Sequence, residues 1–166
     1  EWDADATLDW GSAEQPMRAG FGRFLRALLR LYRAQPCLWR SDPAPEGFHW
    51  IDCSDHAQSV LSFLRRFYEN ELVIALNLTP VPRDDYRIGV PRAGRWQVRL
   101  CSDDGEFGGS GYARPAAFEA QPVPAHGLDH SASLVLPPLA VLVLERQSDP
   151  EGPARKGATK SRAGGA

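Results

Sequence analysis

Residues 130–145 read HSASLVLPPLAVLVLE, and this segment constrains the fold more than any other. Up to Leu136 the apolar and polar residues roughly alternate, the pattern of a strand with one face buried. Pro137 and Pro138 follow. Neither has an N–H to give to a strand ladder, so they mark a corner between two strands rather than the interior of one. Beyond them Leu139–Leu144 is apolar at every position. A strand of that kind needs cover on both faces or a place at a junction between sheets.

The sequence after Pro45 meets that demand. β-rich runs at 48–53, 59–67, 72–79, 86–90, 95–101, 117–121, 131–136 and 139–146 are separated by turn-forming stretches such as YENE, PVPRDD, PRAG and SDDGEFGGSG. The expectation is mainly β: an antiparallel β-sandwich. Ahead of it, Phe21, Phe24, Leu25, Leu28, Leu29, Leu31 and Tyr32 share an arc about 160° wide at helical spacing. Arg23, Arg26, Arg30 and Arg33 fill the opposite face. With Pro16 in the first turn and Pro36 at the end, this predicts one amphipathic helix. From Gln147 onward the sequence lacks aromatic residues and aliphatic periodicity, which predicts a disordered tail over 147–166.

Composition removes several classes of function. A net charge of −2 from 19 basic and 21 acidic residues supplies no footprint for nucleic acid or an anionic membrane. Cys37, Cys53 and Cys101 are odd in number and widely spaced, without a C-x-x-C pair for zinc or redox chemistry. That pattern fits a reducing cytoplasm. The acidic opening EWDADATLDW has no apolar signal region, and the Leu139–Leu144 run is far too short to span a bilayer. The chain begins without Met in loop-like sequence, so a fragment is expected.

The short motifs favour structural roles. Asp129-His130-Ser131 holds the residue types of a hydrolytic triad, but neighbours on an extended chain point to opposite faces and cannot align. His126 and His130 would suit a metal on a helix, and Gly127 with the strand after it argues for a loop instead. FGGSG at 107–111 is followed by Arg114-Pro115 and a further strand, not by the helix a phosphate cradle requires. Asp103, Asp104 and Glu106 read as solvated turn charges rather than a glycosidic carboxylate pair. Five tryptophans, at 2, 10, 39, 50 and 96, offer flat faces that stack on sugars. Trp96 is expected in the core.

Taken together, EWDADATLDW, FLRALLRLYRAQPCLW, PEGFHWIDCSDHAQSVLSFLRR, LNLTPVPRDDYRIGVP, EFGGSG and HGLDHSASLVLPPLAVLVL resemble, in order, the C-terminal end of bacterial 1,4-α-glucan branching enzymes of the α-amylase superfamily. The resemblance runs from about Glu1 to Arg146. It implies that residues 1–40 are the last loop and helix of a (β/α)8 catalytic barrel and 41–146 a C-terminal all-beta sandwich. Such enzymes cut an α-1,4 glucan and transfer the piece to a 6-hydroxyl, through a glycosyl-enzyme formed on an Asp with a Glu as acid/base and without a cofactor. Those carboxylates belong upstream of Glu1, so no catalytic residue and no metal ligand is assigned here.

The implied partners are α-glucan and the upstream barrel. Trp2, in the loop that by resemblance borders the cleft, and Trp50, which alternates with Ile51, are the candidate glucan contacts. The helix stripe would pack on barrel strands, and replacing Phe24 and Leu28 by Glu should break it. The segments Gly11-Ser12-Ala13 and GYARPAAFEAQPVPAHG depart from the family's usual pattern. A second reading is an autonomous carbohydrate-binding sandwich.

Overall fold

The computed structural model describes residues 3–7 and 9–147. Trp2 and all but the first residue of the expected tail lie outside them. Helix α1 (Pro16–Ala34) precedes eight strands: β1 (Phe48–Asp55), β2 (Val60–Phe67), β3 (Asn70–Asn77), β4 (Arg83–Val90), β5 (Gly94–Cys101), β6 (Ala117–Ala120), β7 (His130–Leu136) and β8 (Ala140–Arg146). All pairings are antiparallel. Six strands form one sheet in the order β1-β2-β3-β8-β5-β6, and β4 pairs with β7 in a two-stranded ribbon.

Each expected strand is present, and the double proline falls between β7 and β8, where the chain leaves the ribbon and enters the large sheet. There β8 lies between β3 and β5. Its alternate side chains Ala140, Leu142 and Leu144 enter the core between the sheets, with Val60, Leu64, Val73, Ile88, Leu134, Leu136 and Trp96. Val141 and Val143 face the other way, toward Leu31, Leu72, Ile74 and Leu100. An uninterrupted apolar run is what a strand covered on both faces requires. The run is one residue shorter than expected: Leu139 has φ 48°, and its side chain is exposed. Two consecutive prolines force the chain to turn sharply before it can re-enter a ladder, and Leu139 absorbs that turn.

The outer face of the large sheet is covered by α1 and by the 3-10 turn Pro36–Leu38. Phe24, Ala27, Leu28 and Leu31 pack there. Gly20 makes the close approach possible, since a Cβ at that position would stand 2.4 Å from the carbonyl oxygen of Phe107. The Phe24 and Phe107 rings meet edge to face at 5.5 Å, and Arg23 Nε donates to the carbonyl of Glu106 at 2.6 Å. At the other end of the helix, Gln35 is buried; its Nε2 donates to Glu145 and its Oε1 accepts from Asn70 Nδ2. Asn70 Oδ1 in turn accepts the N–H of Cys37 at 2.8 Å.

The helix stripe splits in two. One half docks on the sheet. The other, Phe21, Leu25, Leu29 and Tyr32, extended by Met17, is exposed, with Phe21 at 58%. An unpartnered row of large apolar side chains on a helix attracts a partner. The 166-residue chain should therefore self-associate at high concentration, as read by light scattering, and Leu25→Glu with Leu29→Glu should restore a monomer; a monodisperse unmodified chain contradicts this. Phe24 and Leu28, the positions the sequence pattern suggests, are the wrong targets, because both pack on the sheet. Glu at either should lower stability by about 2 kcal/mol or more.

Candidate functional site

Trp50 sits on β1, an edge strand of the large sheet, and is 54% exposed. Alternation along β1 turns Ile51 into the core and Trp50 outward. Because Trp50 lies opposite Phe63 on β2, and Phe48 is two residues back on the same face, three aromatic rings gather. Phe48 and Trp50 meet edge to face at 5.0 Å, Trp50 and Phe63 at 5.8 Å, and Phe48 stacks on Phe63 at 5.2 Å. The indole is therefore held in place by its neighbours while much of its surface stays open to solvent.

Beside it is a cavity of about 280 Å³ lined by polar His49, Arg66 and His126 and by Trp50, Ile51 and Leu128. His126 is set by the loop before β7. It has φ 52°, its Nδ1 accepts the N–H of Gly89 at 3.2 Å, and its Nε2 is 3.7 Å from Asp52 Oδ2. Asp52 is held below the usual carboxylate range, chiefly by the N–H of Ser54. His49 pairs with Leu64 and shares the inward face of Ile51, so the cavity and the aromatic cluster lie on opposite faces of the same sheet edge. The exposed indole supplies an apolar stacking surface of the kind a sugar ring takes.

The other candidates separate clearly. Trp96 is fully buried, and its indole N–H donates to the carbonyl of Arg92 at 3.1 Å. Ser131 is buried, donates to the carbonyl of Val123 and accepts from Arg87, so Asp129-His130-Ser131 forms no triad. No group of three metal-binding side chains occurs among the described residues. Burial pushes the Cys37 thiol up to about 11 and raises that of Cys101, which leaves both as poor nucleophiles at neutral pH.

Asp103 corrects the expectation of a solvated charge. It is buried, and the FGGSG loop wraps around it: its carboxylate accepts from Ser110 N (2.7 Å), Ser110 Oγ (2.7 Å) and Tyr112 N (3.1 Å). Burial alone would raise its pKa. The bonds from Ser110 and Tyr112 and the charge of Arg114 outweigh this and hold the carboxyl below the usual range. Sequence reasoning also missed Phe48 and Phe63. The i, i+2 spacing of Phe48 and Trp50 was a usable signal for the first; the second depends on the β1–β2 pairing.

Residues 50–147 match the family model for the alpha amylase C-terminal all-beta domain. The chain belongs to this family. Over 143 residues it is 48% identical to the 1,4-alpha-glucan branching enzyme GlgB of Cereibacter sphaeroides, covering 86% of this chain and 20% of the relative. Over 155 residues it is 46% identical to the enzyme of the same name from Cupriavidus necator, covering 92% and 20%. The chain thus spans about a fifth of the length of these curated relatives. A solved alpha-amylase structure from H. orenii overlaps 75% of this chain and 20% of its own, at 19% identity and a TM-score of 0.44.

Two outcomes follow. Trp50→Ala should cost only about 1 kcal/mol, the scale of lost aromatic pairs, whereas Trp96→Ala should cost about 3–5 kcal/mol; thermal melts compare them. For Asp103 the folded pKa is depressed, so its stabilisation is present above the ordinary carboxylate range and lost as pH falls through the folded value. Asp103→Asn should be less stable at neutral pH, and the gap to the unmodified chain should narrow during acid titration.

Proposed function

We propose that this chain is the C-terminal part of a 1,4-alpha-glucan branching enzyme, with residues 1–40 completing its catalytic domain and residues 41–146 forming the attached sandwich. The observation that carries the reading is the extent of the match: relatives of that name align over 86–92% of this chain at 46–48% identity. The exposed stripe of α1 supports it independently, as a surface for an upstream domain. On this reading the parent enzyme works on α-glucans in the cytoplasm, and no helix among the described residues is long and apolar enough to cross a membrane.

The chain's own contribution is structural and adhesive rather than chemical. Several of its acids are engaged in ion pairs, such as Arg66–Glu71 and Arg114–Asp104. Breaking a glycosidic bond needs an acid and a nucleophile placed across it. The aromatic cluster at Trp50 suits a glucan contact, and it also favours a second reading, a sandwich that holds glucan by itself. Trp2 is proposed as a contact at the rim of the upstream cleft.

Iodine-stained amylose incubated with the 166-residue chain should keep its spectrum, while the full-length parent should change it. Turnover by the short chain, or none by the full-length protein, overturns the reading. In affinity electrophoresis on glycogen, Trp50→Ala should weaken retention while the melting temperature changes little. Unchanged retention removes Trp50 as a contact.

A further inference from the structure

We infer that Leu78, Val81 and Leu139 form a second docking surface, beside α1, for the polypeptide that precedes this chain in its parent protein. The inference rests on the reading of the chain as part of a larger enzyme.

Two turns meet at this end of the sandwich, and one buried amide frames both. Asn77 Nδ2 donates to the carbonyls of Val81 (2.8 Å), Pro137 (3.0 Å) and Leu136 (3.4 Å). Its Oδ1 accepts from the N–H and hydroxyl of Thr79. The Leu139 N–H then donates to the Thr79 carbonyl at 2.8 Å. What this rigid frame presents to solvent is aliphatic: Leu78, Val81 and Leu139 are 53%, 50% and 67% exposed. Leu139 is held in the left-handed region, unfavourable for any residue with a Cβ, and most of its side chain nonetheless stays in solvent. Beneath the same turn Arg83 is loosely held. Its Nη2 reaches the Gln58 carbonyl and Thr79 Oγ1 only at 3.4 Å, and its Nε is buried without an acceptor. Both the apolar and the polar groups at this end lack full cover.

The position indicates what supplies that cover. Asn77 pairs with Ala140, so Leu78 and Leu139 stand one step beyond them on adjacent strands. By the alternation of β3, Leu78 continues the series Leu72, Ile74 and Leu76, the face on which α1 packs. A body resting on the wet stripe of α1 therefore has this patch within the same side of the molecule. Such a body exists on the proposed reading, because four-fifths of each relative lies outside the matched region. The chemistry also selects a protein surface: three aliphatic side chains among prolines offer no aromatic face to a sugar and no cationic cluster to an anionic membrane.

Hydroxyl-radical footprinting of the 166-residue chain and the full-length parent tests this. Leu78, Val81 and Leu139 should lose reactivity several-fold in the full-length protein. Leu139→Asp should leave the melting temperature of the short chain nearly unchanged and lower that of the full-length protein. If Phe21, Leu25 and Leu29 are protected in the full-length protein while the three patch residues stay as reactive as in the short chain, the second surface is wrong and the docking of α1 stands. If neither set is protected, both fail. Protection of the patch in the short chain that grows with concentration identifies a second copy as the occupant and overturns the inference.

Discussion

The structure depends on one strand being covered on both faces. Among the described residues, β8 joins the half formed by β1, β2 and β3 to β5 and β6 in the large sheet. Its inward residues Leu142 and Leu144 and its outward residue Val143 are all buried. At roughly 1.5–3 kcal/mol for each fully buried aliphatic side chain, both layers draw a large share of their stability from it. The inward layer needs the β4–β7 ribbon, and the outward layer needs α1. Neither cover is optional: α1 contributes Phe24, Ala27, Leu28 and Leu31 to the outward layer.

That double membership explains the surface of α1. The face bearing Gly20, Phe24 and Leu31 is tied down at both ends, by Arg23 and Phe107 near its start and by the bonds of Gln35 to Asn70 and Glu145 at its end. The face bearing Phe21, Leu25 and Leu29 has nothing against it among the described residues. A helix with two adjoining apolar faces and one arginine-rich face is suited to stand between two bodies, with its polar side in water.

The candidate site follows from the edge of the same sheet. β1 pairs on one side only, so its outward residues are not buried by a neighbouring strand, and Trp50 stays open. Edge strands invite unwanted pairing, and the register shifts along β1 between Trp50 and Asp55 interrupt the ladder that a second chain could extend. The stacking surface and the protected edge thus occupy one strand.

Much of the fold was legible in the sequence, because periodicity and turn residues act locally. The eight strands, the helix, the corner at Pro137-Pro138 and the burial of Trp96 all follow from patterns a few residues long. What lay beyond the sequence was every property set by a distant partner. The helix pattern marks a single wide apolar arc, and only the packing of Gly20 against Phe107 decides which half of it touches the sheet. Asp103 reads as a turn acid, and only the closure of the 107–112 loop buries it under three donors. Phe63 becomes part of the Trp50 cluster through strand pairing alone. Local sequence determines which elements form, since backbone torsion and side-chain alternation are properties of neighbouring residues. Tertiary structure decides which faces are covered, since burial depends on contacts between residues far apart in the chain.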